Sequence, residues 1–228
     1  MQNYSTALPD WPQLHRLVAS HFYPIDLFES VADPEELDIV YAIEALTNDR
    51  LREITGELWR VPAQDRVSGP GSSPIMAAFT HIGIASRFTD GSYGVYYAAR
   101  DLKTAIAETV YHRERFLAAT EEPDTELTMR QYINCIALPL HDVRSNKTLH
   151  DPESYVYSQQ EGKRLRELGS HGLIYNSVRD PGGVCVAALR PTAVTIPIQG
   201  GHFRYVWSGF QQRIVSVLTV EEFKRYDS

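Results

Sequence analysis

From residue 173 to residue 218 the chain is a succession of short β-branched and aromatic runs, at 173–176, 184–189, 195–198, 203–208 and 213–218. Asp180-Pro181-Gly182-Gly183 and Gly200-Gly201 separate them as turns. Helical patterns come earlier and do not alternate regularly with strands. That order excludes a doubly wound parallel sheet and predicts an α+β fold, a mixed β-sheet flanked by helices.

Upstream, residues 1–57 read as a helical extension. Asp33-Pro34-Glu35-Glu36 is a helix start, with Asp33 as N-cap and Pro34 in the first turn. Leu37, Val40, Tyr41 and Ala45 then recur at helical spacing, and Ile39, Ile43 and Leu46 widen the stripe into a face that needs a partner. Residues 58–228 form the second unit. Leu58-Trp59-Arg60-Val61 reads as a short strand ended by Pro62, and 64–74, rich in Gly, Pro and Ser, as a mobile loop. Residues 95–99 are a strand. Asp101 caps a helix to about residue 117, with a stripe of Leu102, Ala105, Ile106, Thr109, Val110 and Leu117. A strand follows over 130–138. Ser158-Gln159-Gln160-Glu161 reads as a capping box and Gly169 as the residue just past the helix it opens.

Composition narrows the function classes. Twenty-two basic against 29 acidic residues give a net charge of −7, which argues against direct nucleic-acid binding. No apolar run reaches the ~18 residues of a membrane span. Cys135 and Cys185 make neither a CxxC nor a disulfide framework, and the first ten residues lack a signal-peptide pattern, so a reduced, cytoplasmic protein is expected. P-loop, GxGxxG, HExxH and GxSxG motifs are absent. His81, His112, His171 and His202 lack metal-ligand spacing, and no metal is expected.

The remaining polar residues lie at element ends. Arg60 and Arg87 each offer a planar fork suited to phosphate, although a surface ion pair is the commoner use. Glu108 shares a helix face with Thr104, His112 and Arg115, a face that is either solvated or borders a cleft. Tyr96 and Tyr97 point to opposite sides of their strand. Ser177 ends the run 173–176, with Arg179 two residues on, where a serine is ordinarily a turn residue.

In order, these residues resemble the signature of the RES-domain family, named for an Arg, a Glu and a Ser. Ser86-Arg87-Phe88-Thr89-Asp90-Gly91-Ser92-Tyr93-Gly94-Val95-Tyr96-Tyr97-Ala98-Ala99, followed by residues 102–108, matches the arginine and glutamate motifs at Arg87 and Glu108. Gly172-Leu173-Ile174-Tyr175-Asn176-Ser177 matches the serine motif, Leu58-Trp59-Arg60-Val61 the opening arginine strand, and Tyr97 the tyrosine before the glutamate helix. The resemblance covers about residues 57–220, and residues 1–57 look like an extension of longer members. One departure stands out. The common Gly-Gly-Arg-Trp-Asn is Ala85-Ser86-Arg87-Phe88-Thr89 here, which removes two glycines before the arginine and keeps an aromatic after it.

The resemblance implies an ADP-ribosyltransferase-like fold and NAD as substrate. It implies a toxin paired with a helix-turn-helix (Xre-type) antitoxin. Cleavage of the nicotinamide–ribose bond builds positive charge on the ribose, which the Glu108 carboxylate would stabilise. Arg60 and Arg87 would hold the diphosphate, Tyr97 would stack on or bracket the nicotinamide or its ribose, and Ser177 would orient the ribose or Glu108. Three outcomes fit: transfer of ADP-ribose to phosphate or water, transfer to a protein side chain, or NAD binding without catalysis. An antitoxin or a second copy of the chain would cover the N-terminal apolar stripe.

Overall fold

The computed structural model describes residues 3–19 and 58–220. Near-continuous apolar runs at 184–188 and 172–176 make strands buried on both faces, and these lie inside a mixed sheet. Its members are β1 (Thr6–Ala7), β2 (Leu14–Ala19), β3 (Tyr96–Ala99), β4 (Thr125–Asn134), β5 (Leu140–Asp142), β6 (Gly172–Asn176), β7 (Val184–Ala188), β8 (Ile198–Ser208) and β9 (Arg213–Val220). The order is β1-β5-β6-β7-β3-β2-β4-β8-β9. Only β5 and β6 run parallel among the described pairs. Three helices accompany the sheet among the described residues: α1 (Ser73–Thr80), α2 (Leu102–Ala119) and α3 (Val156–Glu167). The expected α+β class is what the chain adopts.

Period-two alternation sorts the core into two faces. Tyr97 and Ala99 of β3, Cys185 and Ala187 of β7 and Leu173 and Tyr175 of β6 pack with Ala105 and Leu117 of α2 and Leu165 of α3. Tyr96, Ala98, Val184, Val186 and Ile174 point the other way, onto Ile75 and Phe79 of α1 and onto Val61. The prediction that Tyr96 and Tyr97 diverge therefore holds.

Several expectations are corrected. Residues 1–57 are not helical throughout: Leu14–Ala19 is a strand inside the sheet, pairing with β3 at His15–Ala99 and with β4 from Leu14–Asn134 to Ala19–Met129. Leu14 feeds one core and Leu17 and Ala19 the other, a strand alternation missed because the segment is short. The sheet accordingly begins before residue 58. The helix expected from Asp33 lies outside the described residues.

Leu58–Arg60 is a 3-10 turn and not a strand. The Val61 N–H bonds the Leu58 carbonyl, and the Arg66 side chain donates to the Val61 and Leu58 carbonyls, so ladder groups are used locally. The loop expected at 64–74 contains a second 3-10 turn, Ala63–Asp65, and the start of α1. Buried Asp65 anchors it through an ion pair with Arg190 at 3.0 Å. Gly200 and Gly201 do not turn the chain; they lie within β8, where the Gly201 N–H donates to Gln131 Oε1. The helix of the capping box starts earlier, at Val156, and Ser158 donates back to the Tyr155 carbonyl. Gly169 does close that helix, with φ +79 and the Ser170 N–H bonded to the Leu165 carbonyl.

Candidate active site

Residues 177–183 form a turn that docks on the first turn of α2. The Ser177 N–H bonds the Gly183 carbonyl, and Asp180 accepts hydrogen bonds from Lys103 Nζ and Thr104 Oγ1, each at 2.7 Å. These bonds hold the Asp180 carboxyl below its ordinary pKa. Gly183 permits the approach: a Cβ there would stand 2.6 Å from Thr104 Oγ1. Docking brings Ser177 to Glu108 one turn further along α2. Ser177 Oγ accepts from the Arg179 and Asp180 N–H groups and donates to Glu108 Oε1 at 2.6 Å. Glu108 is half-buried, so its helix face is only partly open to solvent.

Arg87 sits at the tip of a tight turn closed by the Ser86 and Thr89 backbones. Tyr97 sets that turn. Its hydroxyl accepts from the Phe88 N–H at 3.0 Å and bonds Ser86 Oγ at 2.8 Å, on both sides of Arg87. Burial pushes the Tyr97 phenol up to about 12. Tyr93 donates to the Phe88 carbonyl and Gln159 to the Ser86 carbonyl. Gly162 of α3 presses on the Phe88 carbonyl, leaving no room for a Cβ, which would lie 2.2 Å from it. The departure from the glycine-rich arginine motif now has a physical account. Residues 85–89 have no positive φ, Ser86 supplies a bond to Tyr97, and Phe88 packs edge-on against Tyr175 at 5.0 Å.

Arg87 is 7% exposed. Its Nη1 donates to the carbonyls of Leu149 and Asp151, and its guanidinium lies 4.6 Å from the centre of the Tyr155 ring. Across the cleft Arg179 stacks on Tyr111 of α2 at 3.4 Å and donates Nη2 to the Pro152 carbonyl at 2.7 Å. Arg115 donates to the Tyr111 hydroxyl. His112, one helical turn beyond Glu108, is desolvated by the surrounding protein. That lowers its pKa, and the charges of Arg179, Arg115 and Arg87 lower it further against the pull of Glu108. His150 accepts the Asn176 N–H on Nε2 and so donates Nδ1 to the Asn146 carbonyl; burial lowers its pKa.

Arg87, Tyr97, Glu108 and Ser177 therefore come together on one face of the sheet. Arg60 does not join them. It follows Leu58 in a turn whose neighbour Val61 packs into the opposite core, and its exposed guanidinium lies over Trp59 at 4.7 Å. Tyr111, Tyr155, Tyr175 and Arg179 were not read as site residues. Arg179 follows Ser177 by two and Tyr111 follows Glu108 by three, so both carried a spacing signal; Tyr155 carried none. Cys135 and Cys185 are free thiols, and burial raises the pKa of Cys185. Among the described residues no three His, Cys, Asp or Glu side chains could hold a metal ion, and no helix is long and apolar enough to cross a membrane.

Sheet and cleft define an α+β domain with one hydrogen-bonded carboxylate between two tyrosine-backed arginines. The RES domain model matches residues 57–208, and the chain belongs to that family. It is 30% identical over 204 residues to the uncharacterized protein y4oC of Sinorhizobium fredii, covering 86% of this chain and 84% of that relative. A more distant likeness is to a chain in the crystal structure of the M. tuberculosis MbcT–MbcA toxin–antitoxin complex. There the TM-score is 0.40 and the identity 11%, over 56% of this chain and 74% of that one.

Proposed function

We propose that the protein is the toxin of a toxin–antitoxin pair and that it cleaves the nicotinamide–ribose bond of NAD, passing ADP-ribose to phosphate or water. The observation that carries this reading is the Ser177–Glu108 hydrogen bond at 2.6 Å, with the charges of Glu108 and Arg87 both reaching His112. The role as a toxin, and a helix-turn-helix antitoxin as its partner, rest on the RES family.

The chemistry follows from charge. When the C1′–N bond breaks, its electron pair neutralises the pyridinium nitrogen and leaves an oxocarbenium-like ribose. Glu108 stabilises that cation, as a carboxylate does in glycoside cleavage. An oxygen of phosphate or water then bonds C1′ and loses its proton to solvent. Ser177 is a positioning residue here: its proton fixes one carboxylate oxygen and leaves the other for the ribose. Arg87 takes the anionic diphosphate with donors other than Nη1. Tyr97 sets the Arg87 turn through its hydroxyl, which bonds Ser86 and Phe88 on both sides of Arg87.

The test is incubation of the purified chain with NAD, with and without phosphate, and identification of products by mass. Nicotinamide with phosphorylated ADP-ribose is expected with phosphate, and plain ADP-ribose without it. Persistence of NAD in both conditions, with cell lysate added, would overturn the reading.

A further inference from the structure

Resting on that reading, we propose that Arg179, and not Arg60, is the second arginine of a two-arginine clamp, which together with Arg87 grips a phosphate or diphosphate oxyanion above Glu108. Arg87 and Arg179 donate to the carbonyls of Asp151 and Pro152, two consecutive residues. One residue step is about 3.8 Å, so both guanidinium groups are anchored on neighbouring residues of a single segment.

Each group is also backed by a ring. Tyr155 lies under Arg87 at 4.6 Å and Tyr111 under Arg179 at 3.4 Å. Stacking orients the planar fork and cuts the entropy lost when an anion binds. Each arginine is tied to the segment through one terminal nitrogen. Among the described residues neither has a further side-chain hydrogen bond to an acidic partner.

The placement relative to the chemistry is also right. The Arg179 N–H caps Ser177 Oγ, whose proton goes to Glu108, and the Arg179 charge acts on His112 one turn beyond Glu108. Arg60 instead adjoins Val61, which packs in the opposite core, and lies over Trp59. The oxyanion could be the diphosphate of the dinucleotide or a free phosphate acceptor, and the two share this chemistry.

Titration calorimetry on the full chain tests the clamp, with inorganic pyrophosphate, ADP-ribose and orthophosphate as separate probes. Arg179→Gln is expected to weaken pyrophosphate and ADP-ribose binding by about tenfold or more. Arg179→Lys should recover part of it, since charge returns without the fork. Arg60→Gln should bind like wild type, and binding should weaken with salt. Loss on pyrophosphate and ADP-ribose assigns the clamp to the dinucleotide. Loss on orthophosphate alone assigns it to the acceptor, and also supports the clamp. Unchanged binding in Arg179→Gln protein that melts like wild type would overturn it, as would failure of wild type to bind any probe. If Arg179→Gln does not fold, an Arg179→Lys protein with wild-type affinity and salt dependence would overturn it equally. Arg179-dependent binding in a protein that leaves NAD intact would uphold the clamp and sink the NAD-cleaving reading, which keeps the two failures apart.

Discussion

The Ser177 hydroxyl has no bonding capacity to spare. A serine offers one donor and two acceptor sites, and here two N–H groups fill the acceptors while Glu108 takes the proton. Ser177→Ala strands both N–H groups, one of them buried, and should cost about 1–3 kcal/mol in denaturant unfolding. Glu108→Gln keeps the shape and removes the charge. NAD consumption is expected to fall about 100-fold or more with the melting temperature nearly unchanged, and growth arrest on induced expression to disappear. His150 gives a pH signature. Its folded pKa is lowered, so below about 6.5 the unfolded chain binds more protons than the native one. The stability this provides is complete above that value and is lost as pH falls through the lowered one. His15, His112 and His141 shift in the same direction. Melting temperature should therefore drop from pH 7 to pH 5, and less steeply in His150→Gln. At this scale Arg87, Glu108 and Ser177 were legible because their motifs come in a fixed order. Arg179 and Tyr155 were less so, because what makes them site residues is a stacking partner far away in sequence.

Among the elements, α3 and the Arg87 turn are coupled through a single missing side chain. Gly162→Ala would drive a methyl into the Phe88 carbonyl, so either the turn or the helix must move. The expected cost is about 1–3 kcal/mol in unfolding, with weakened NAD turnover, whereas Gly182→Ala, which meets no atom within 4 Å but sits at φ +84, should leave turnover close to wild type. Elements with a long stripe or an unbroken apolar run are readable: α2 follows from its helical stripe, and β6 and β7 from apolar runs bounded by turn residues. The failures share a cause. Leu58–Arg60 has the residues of a strand, but Arg66 takes the carbonyls a neighbour would need. Gly200-Gly201 has the residues of a turn, but the pair makes room for the Gln131 side chain inside the β4–β8 ladder. Local composition specified a preference, and a distant side chain overrode it.

Over the whole molecule, β2 is the joint of the sheet. It lies between β3 and β4 and pairs with both, so residues 14–19 hold together parts of the chain otherwise far apart. A fragment of residues 58–228 should fail to give a cooperative melt, although it contains every proposed site residue; circular dichroism would show this, and a cooperative transition would refute it. The same placement has a consequence for synthesis. β2 leaves the ribosome well before its partners Tyr96–Ala99 and Thr125–Asn134. Until they emerge, the strand waits with both edges unpaired, and closing the sheet must repay a long loop's entropy. Assembly of the sheet under the site is thereby tied to the emergence of β4. A nascent copy cannot acquire the proposed NAD-consuming activity piecemeal while it is still being translated.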